Sequence, residues 1–489
     1  MKSAKKRASF RGSFSSHGND NADHCSNNNN QNNNNAIKRR HNSSFMKLPM
    51  KLLSSGKYPK TKIVKESIPA LDDEIRVMTC DAPFMKSVAA DSLCLLDRKE
   101  VIVGELLGQG QFAQVYEVKD LKLRDAATQE LSPSQAAKRH SFVSNFRTCP
   151  TTHPHRCCSY AMKHLKKDLL ISSTAKKHRR AASNSEAEIA AGDAELPMDQ
   201  QFQLAAADLV VEALYMSRLA HPHILRVRGL AREGTAAFAN GRYDSYFLIL
   251  DKLSQTLDQR IRHWRHTLGQ PQETQLCVKT EYAHQMAQAL AHLHQRRIIY
   301  RDLKPANCGF KEEDGSLQIF DFGLCRELPK SKTNDTDPNE VYFMTAAGTH
   351  RYMAVEVLLG QKYNTKADVY SFSMVYYELL AQEAPFLNFD EAHHKKLVCE
   401  RKHRPQHFFG CVVPLSIQNL LGDAWAHDIA DRLTMAEVVA RLEDILVNTF
   451  HRKLQDRPGG VKVALPDGGK KEEASSPPEQ NQVMVSAGA

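Results

Sequence analysis

The sequence predicts an α+β fold in two lobes, a small β-rich lobe with one main helix and a larger lobe built mostly of helices. Two observations support this prediction. Short strand-like apolar runs fall between about residues 99 and 250, and one helical pattern surrounds Glu212 among them. From about residue 254 onward, apolar residues recur at helical spacing, as in Leu257–Trp264 and Tyr282–His294.

A glycine-containing turn separates the first two predicted strands. The apolar run Val101–Val103 precedes Gly108 and Gly110, and the strand-like run Tyr116–Val118 follows them. Strand, turn and strand together predict a β-hairpin. Because glycine has no side chain, backbone N–H groups in such a turn can approach phosphate groups closely. The alternative is a hairpin turn that binds no ligand.

A lysine on the next predicted strand and a glutamate on the predicted helix form a second candidate pair. Lys163 follows Ala161 and Met162 in a short strand-like segment, and Glu212 lies within the helical pattern Leu209–Met216. Such a glutamate would hold the Lys163 ammonium group against the α- and β-phosphates of a nucleotide. The alternative is a lone, solvated lysine at a strand edge.

The most informative stretch is Tyr300–Asn307, with Asp321 fourteen residues beyond its last residue. Its acid, Asp302, can orient a hydroxyl group and accept the proton, and Lys304 can contact a transferred phosphate. Asn307 and Asp321 offer hard oxygen ligands that suit Mg²⁺. Phosphoryl transfer from ATP requires this set of groups on neighbouring loops.

Taken together, these motifs resemble those of the eukaryotic protein kinases over roughly residues 95–450. The resemblance implies a two-lobed protein kinase fold that uses ATP and Mg²⁺. The residues implied for catalysis are Asp302, Lys304, Lys163 and Glu212, and the implied metal ligands are Asn307 and Asp321. The implied nucleotide contacts are Leu107, Gly108, Gly110, Val115, Ala161, Lys163, Asp251 and Leu253.

Three further residues resemble structural parts of the same family. Glu356 closes the segment Gly348–Glu356, which is similar to the end of a kinase activation segment, with Val355 where the family usually has proline. Arg432 resembles the buried ion-pair partner of that glutamate. Asp368 resembles the carboxylate that holds the backbone of the catalytic loop, which is the stretch Tyr300–Asn307 in this sequence.

Two departures from the family pattern concern the nucleotide pocket and the catalytic loop. Gly309 stands where the family usually has an apolar residue beneath the adenine, so we expect a thinner pocket floor and weaker nucleotide binding. Tyr300 replaces the more usual histidine, and we expect it to stack on Phe322.

We expect activity to be switched through the activation segment, residues 324–353. Arg301 precedes the catalytic acid and can pair with a phosphate group on this segment, with Thr345 as the first candidate. Phosphorylation would come from an upstream kinase or from the protein itself. Thr349 is expected to contact the catalytic loop instead. The alternative is a segment that is ordered without phosphate, with Arg301 bound to other acceptors.

The substrate class follows from residues near the catalytic acid. Lys304, Pro305 and Thr349 resemble those of serine/threonine kinases, and residues 367–374 resemble the tyrosine-kinase-like branch. The expected reaction is transfer of the ATP γ-phosphate to Ser/Thr hydroxyls of protein substrates in intracellular signalling. One alternative is a pseudokinase-type nucleotide-binding scaffold, which would lack a catalytic part. Another is a small-molecule kinase, which the complete segment Asp321–Glu356 disfavours.

Composition divides the chain into four parts. These are a disordered basic Asn- and Ser-rich tail (1–66), a lead-in segment (67–98), the protein kinase domain (99–450) and a disordered C-terminal tail (453–489). Within the domain we predict a small lobe at about 99–250, a large lobe at about 254–450, and loop-like inserts at about 121–157 and 167–200.

The basic charge belongs to the N-terminal tail. Residues 1–66 carry fourteen Lys and Arg against three acidic residues, a net charge of +11, whereas the whole chain carries +10. The remainder is therefore nearly neutral, which disfavours nucleic acid as a partner of the folded domain.

The hydropathy and the cysteine spacing of the sequence indicate the cellular compartment in which the protein is expected. No apolar stretch is long enough to predict a membrane span. Eleven scattered cysteines without a framework spacing favour the reducing cytoplasm, the nucleus or both. The cluster Cys149–Cys158 leaves zinc binding as an open alternative, although no second ligand pair at a zinc-finger spacing accompanies it.

Overall fold

The computed structural model describes most of both lobes and single positions of the lead-in segment. The described residues are 71–72, 75, 84, 93–124, 132–147, 160–167, 198–240, 242–266, 272–329, 337–405, 408 and 412–451. The two predicted tails, the Cys149–Cys158 cluster and residues 168–197 of the second predicted insert lie outside the described residues.

A six-stranded sheet forms the framework of the small lobe. Its strands are β1 (Cys94–Leu96), β2 (Val101–Gln109), β3 (Ala113–Leu121), β4 (Tyr160–Leu165), β5 (Val227–Ala231) and β6 (Phe247–Asp251). They follow the spatial order β1-β5-β6-β4-β3-β2, with β1 parallel to β5 and every other pair antiparallel. The predicted hairpin around the glycine turn is confirmed by the β2–β3 pair.

The small lobe begins before the predicted boundary at residue 99. β1 pairs with β5, and its residues Cys94 and Leu96 are buried. A strand of three residues is too short to show the alternation of buried and exposed side chains that reveals longer strands. One edge of the sheet therefore lies within the predicted lead-in segment.

The first predicted insert, 121–157, is not only a loop, and that prediction was wrong. It contains helix α1 (Pro133–Arg147), which presents Arg139 to the core. The buried guanidinium of Arg139 pairs with Glu100 and donates to the carbonyl oxygen of Leu95 at 2.8 Å. Composition counts arginine as polar, but an ion pair with further hydrogen bonds allows it to be buried.

One long helix, α2 (Met198–Met216), packs on this sheet and carries Glu212. It begins two residues before the predicted end of the second insert at residue 200. Ala205, Leu209 and Ala213, spaced four residues apart, are all buried. This stripe of small and aliphatic side chains holds the helix against the core.

The large lobe is mostly helical, as predicted. Its helices are α3 (Leu257–His266), α4 (Gln272–His294), α5 (Val355–Leu358), α6 (Lys366–Ala381), α7 (Glu391–His394), α8 (Leu415–Ala424) and α9 (Met435–Asp444). Every residue of α6 is buried, so this helix forms the centre of the lobe. None of the described helices is long and apolar enough to cross a membrane.

Short strands flank the loops that contain Asp302 and Asp321. They are β7 (Leu253–Thr256), β8 (Ile298–Ile299), β9 (Cys308–Lys311), β10 (Leu317–Ile319) and β11 (Arg326–Glu327). One sheet has the order β10-β9-β7, and β11 pairs with β8. The loop between β8 and β9 contains Asp302, and the loop between β10 and β11 contains Asp321.

A buried ion pair joins α5 to the loop before α9. Arg432 donates from Nη1 to Glu356 Oε1 at 2.7 Å and from Nη2 to Glu356 Oε2 at 3.1 Å. The same guanidinium donates to the carbonyl oxygens of Lys366 and Ala426. The ion pair that the sequence indicated is therefore present and fully bonded.

Candidate active site

The ammonium group of Lys163 lies between two carboxylates. Its Nζ donates to Glu212 Oε2 at 2.6 Å and to Asp321 Oδ1 at 2.9 Å. Burial alone would lower the pKa of Lys163, but the charges of Asp321 and Glu212 outweigh burial and raise it above its ordinary value. The fold thus brings together β4, α2 and the loop after β10 around one cation.

Three donors surround the carboxylate of Asp302. Lys304 Nζ donates to Oδ2 at 2.6 Å, and Asn307 Nδ2 donates to the same oxygen at 3.0 Å. The hydroxyl of Thr349 donates to Oδ1 at 2.7 Å and accepts from Lys304 Nζ at 3.0 Å. Thr349 contacts the catalytic loop, as the sequence predicts, so the activation segment and the loop share one hydrogen-bond network.

Asp368, near the start of α6, holds the backbone of the catalytic loop. Its Oδ2 accepts from the N–H of Tyr300 and its Oδ1 from the N–H of Arg301, both at 2.8 Å. His294 Nε2 lies 2.9 Å from the same Oδ2. The rings of Tyr300 and Phe322 meet edge to face, with centroids 5.4 Å apart, rather than in the expected stack.

Two residues of the site adopt left-handed backbone conformations that side chains other than glycine rarely occupy. Arg301 and Asp321 each have φ of 71°. Such conformations cost on the order of 1–3 kcal/mol each and persist only where the surrounding contacts hold them. At Arg301 such a contact is the hydrogen bond that its backbone N–H donates to Asp368. At Asp321 it is the hydrogen bond from the Lys163 ammonium group to the carboxylate.

Neutral acceptors surround the guanidinium of Arg301. Nε donates to the carbonyl oxygen of Leu324 at 2.6 Å, and Nη1 lies 3.4 Å from both the carbonyl oxygen of Thr345 and the hydroxyl of Tyr363. Asp208 on α2 also acts on this region, because its charge interacts with that of Arg301. Burial raises the pKa of Asp208 to about 6, and the nearby arginines oppose that rise.

The turn that contains Gly108 and Gly110 has open space next to both glycines. A Cβ atom on Gly108 would meet nothing within 4 Å, and one on Gly110 would meet only the carbonyl oxygen of Ala113 at 3.8 Å. Protein packing therefore does not require glycine at either position. Leu107, 40% exposed, and the half-buried Val115 flank the turn on β2 and β3.

The segment between the lobes is fixed by ion pairing. Asp251, at the end of β6, accepts from Nε and Nη2 of Arg228 at 2.7 and 2.9 Å. Its carboxylate is thus bonded within the protein, and its backbone remains as the group that could face a nucleotide. Ala161 is buried on β4, where it pairs with Leu250 of β6.

Gly309 does not leave the pocket floor thinner, and that expectation was wrong. A Cβ atom at Gly309 would lie 2.6 Å from Cδ1 of Leu253, 3.2 Å from the carbonyl oxygen of Gln255 and 3.2 Å from the ring of Phe320. The space that a larger side chain would fill is therefore occupied by Leu253. The sequence cannot show that Leu253 fills the space beside Gly309, because the two residues lie on different strands, β7 and β9.

Gly309→Ala is therefore expected to destabilise the fold by about 1–3 kcal/mol, because overpacking forces Leu253 and Phe320 to shift. The KM for ATP should rise in the same variant, since Leu253 is an implied nucleotide contact. Urea unfolding and ATP titration measure the two effects. Gly422→Ala is the control, because a Cβ on this helical glycine meets nothing within 4 Å. A Gly309→Ala protein as stable as wild type would contradict this packing.

The oxygen atoms of Asn307 and Asp321 suit a Mg²⁺ ion whose remaining ligands come from the substrate phosphates and from water. Burial opposes ionisation of Asp321, but the charges of Lys163 and Lys304 outweigh it and hold the pKa of Asp321 below its ordinary value. The described residues contain no group of three or more His, Cys, Asp or Glu side chains arranged to hold a metal. Mg²⁺ usually binds through one or two protein oxygens plus phosphates and water. Asn307 and Asp321 match that requirement.

Two structural features near the site residues were not predicted from the sequence. Asp208 places a carboxylate within the electrostatic reach of Arg301 and Arg326, although one acidic residue in a helix gives no signal by itself. Glu327 of β11 accepts a hydrogen bond from the backbone of Phe84, a residue of the unassigned lead-in segment.

Comparison with known families gives one match, to the protein kinase domain, over residues 183–442. This range is more than half of the 489 residues. It starts after the glycine turn and Lys163, so the placement of those two parts rests on the geometry described above.

Several curated proteins are similar to this chain. Serine/threonine-protein kinase VIK of Arabidopsis thaliana is 35% identical over 169 residues, 34% of this chain and 37% of that protein. A putative mitogen-activated protein kinase kinase kinase 7-like protein of Drosophila melanogaster is 31% identical over 183 residues, 36% and 39% of the two chains. Dual specificity protein kinase shkD of Dictyostelium discoideum is 29% identical over 244 residues, 48% and 29%. The matched region thus spans less than half of each relative.

Proposed function

The chain belongs to the protein kinase family, and we propose that it transfers the γ-phosphate of ATP to serine and threonine hydroxyls of protein substrates. One observation carries this proposal. Lys163 is bonded to both Glu212 and Asp321, which requires the glycine-turn sheet, α2 and the loop after β10 to be assembled around a single cation. This arrangement suits the binding of nucleotide phosphates next to Asp302.

Asp302 is the proposed proton acceptor. Its carboxylate is fixed by Lys304, Asn307 and Thr349, so little reorientation is needed when an acceptor hydroxyl arrives. As the hydroxyl oxygen bonds to the γ-phosphorus, the bond from that phosphorus to the bridging oxygen of ADP breaks, and the proton passes to Asp302.

Positive charge in the site would stabilise the transferred group. Lys304, bonded to Asp302, would contact the phosphoryl oxygens, while Lys163 would bind the α- and β-phosphates. Mg²⁺, held by Asn307 and Asp321, would neutralise charge between the phosphates when bound. Preorganised charges of this kind stabilise the transition state without reorganising during the reaction.

A pseudokinase-type scaffold is not favoured. Such a protein would lack one part of the set, whereas Lys163, Asp302 and Asp321 are all present and Lys163 contacts Asp321 directly. The Asp302 carboxylate is held by hydrogen bonds from Lys304, Asn307 and Thr349.

The finer assignments rest on the resemblances. The similar proteins include serine/threonine kinases and a putative mitogen-activated protein kinase kinase kinase 7-like protein, which supports the tyrosine-kinase-like branch. We propose that the protein acts in intracellular signalling, in the cytoplasm, the nucleus or both, which its scattered cysteines favour. Its partners would be protein substrates and an upstream kinase, unless it phosphorylates its own activation segment.

The decisive test is Mg²⁺-dependent transfer of radiolabelled γ-phosphate from ATP to a generic basic protein. The wild-type chain should label serine and threonine, and Asp302→Asn should not. Phosphoamino-acid analysis separates serine/threonine from tyrosine specificity. Mg²⁺-dependent ATP binding without transfer to any of a panel of proteins would favour the scaffold instead.

Removal of phosphate from residues 324–353 is expected to lower activity. Thr345 is exposed, and its carbonyl oxygen lies 3.4 Å from Arg301 Nη1, so a phosphate on this residue would come close to the guanidinium. Charge-assisted bonds of about 1.5–3 kcal/mol would then order the segment. Mass spectrometry and activity before and after phosphatase treatment measure the effect, with Thr345→Ala as the matched variant. Full activity of the dephosphorylated protein would show that the neutral acceptors of Arg301 suffice.

A further inference from the structure

Phe84, in the lead-in segment, contacts the helix that carries Glu212 and the strand that follows the loop of Asp321. Its backbone N–H donates to Oε2 of Glu327 at 3.0 Å and to Oε1 at 3.3 Å. Its ring lies nearly parallel to that of Tyr215, with an interplanar angle of 16° and centroids 6.3 Å apart. Phe84 is therefore bonded to β11 and packed on α2.

These two contacts lie close in sequence to Glu212 and Asp321. Tyr215 follows Glu212 by three residues on α2, so the two side chains lie on the same side of the helix, one turn apart. Both are buried, and Tyr215 has no solvent exposure. Glu327 follows Asp321 by six residues. Phe84 thus contacts α2 one turn from Glu212. It also contacts β11, the strand that follows the loop of Asp321.

Other described residues of the lead-in segment are also part of the core. Leu71 is 1% exposed and belongs to the main hydrophobic cluster, and Ile75 packs against that cluster. Burial of apolar side chains in this way stabilises the folded state. The lead-in segment is thus bound at several points, and Phe84 connects it to the site.

We propose that Phe84 is a positioning residue, which keeps Glu212 in contact with Lys163 by bracing α2 against β11. The proposal rests on the proposed kinase activity for its kinetic consequence, but its structural consequence can be measured separately. Phe84 touches no reacting group. Its effect is transmitted through Tyr215 on one side and Glu327 on the other.

The mechanism needs only a small displacement. Lys163 is shared by Glu212 and Asp321, so a shift of α2 by about 1 Å would lengthen the 2.6 Å bond and leave the ammonium group with Asp321 alone. Misplacement on that scale can lower a rate by about 100-fold. The fold itself would persist, because the sheet and the rest of α2 keep their contacts.

The test compares Phe84→Ala, Phe84→Tyr and a chain lacking residues 1–66, all otherwise full length. Phe84→Ala should lower kcat by roughly 10- to 100-fold with a smaller change in the KM for the protein substrate. Phe84→Tyr keeps the ring and should restore most of the activity. Loss of residues 1–66, a basic Asn- and Ser-rich tail whose composition cannot form a core, should leave activity near wild type.

Hydrogen exchange supplies a readout that does not depend on catalysis. Amides of α2 around Glu212 should exchange faster in Phe84→Ala, while those of α6 and α9 should be unchanged. Glu327→Ala removes the acceptor of the Phe84 N–H and should produce the same local change. The increase in exchange caused by Glu327→Ala should not add fully to that caused by Phe84→Ala, because both substitutions remove the same contact.

The outcomes separate this inference from the proposed function. If Phe84→Ala retains wild-type kcat and wild-type protection of α2, the positioning role is wrong. Equal loss of protection across α2, α6 and α9 would indicate a merely structural role and would also contradict it. A wild-type chain that phosphorylates no protein would overturn the proposed function, whereas locally faster exchange of α2 in Phe84→Ala would still support the brace.

Discussion

Asp302→Asn, Lys163→Met and Asp321→Asn are each expected to lower turnover by roughly 10²–10³. Each change removes a charge that faces the reacting groups: the proton acceptor, the cation at the phosphates or the metal ligand. Steady-state kinetics at saturating ATP and protein substrate measures the loss. The thermal midpoint should remain near wild type for Asp302→Asn, because the amide oxygen can still accept from Lys304 while the amide NH2 donates to the Thr349 hydroxyl, which can accept as well as donate.

The three variants should differ in how they bind nucleotide. Asp321→Asn should weaken Mg²⁺-dependent ATP binding more than Asp302→Asn, since only Asp321 is a proposed metal ligand. Asp314→Asn, at an exposed turn, is the matched control and should behave as wild type. Turnover within about threefold of wild type for any of the three site variants would remove that residue from its assigned role.

The residues of the site could be predicted from sequence because each motif gathers several informative residue types into a short stretch. The stretch around Asp302 holds an acid, a lysine and an asparagine within six residues, and the glycine turn lies between two strand-like runs. Their meeting in space follows from the two-lobed fold that the motifs jointly indicate. The sequence offers Glu212 as a candidate partner of Lys163, and the two side chains are bonded at 2.6 Å in the structure.

Three features that depend on a partner distant in the chain, and that no family motif marks, could not be predicted. Arg139 reads as a solvated residue until Glu100 is known to neutralise it, and Leu253 fills the space beneath Gly309 only because β7 and β9 are neighbours. Phe84 is one aromatic residue in a segment without a clear period. Each of these features depends on two residues that are far apart in the sequence, so the pattern along one segment does not reveal it.

The largest stability effect is expected at the buried ion pair. Glu356→Ala should lower the free energy of unfolding by about 3–5 kcal/mol, because the Arg432 charge would remain buried without its partner. The side chains of Arg432 and Glu356 are 0% and 5% exposed, so water cannot replace the lost carboxylate. Urea unfolding followed by circular dichroism measures the change.

Replacement of both partners should recover part of the loss, since a buried pair exchanged for apolar side chains of similar volume is often close to neutral. Recovery in Glu356→Leu with Arg432→Met should nevertheless be incomplete. The guanidinium also donates to the carbonyl oxygens of Ala426 and Lys366, which would then lack those donors.

Asp423 and Arg441 provide the matched exposed pair. Their side chains are 50% and 44% exposed, and a surface ion pair contributes only about 0–1 kcal/mol. Asp423→Ala should therefore change the free energy of unfolding by less than about 1 kcal/mol. Equal losses in Glu356→Ala and Asp423→Ala would show that burial of the charge is not what makes the Glu356–Arg432 pair important. A difference of several kcal/mol would instead establish this pair as a main link between α5 and the loop before α9.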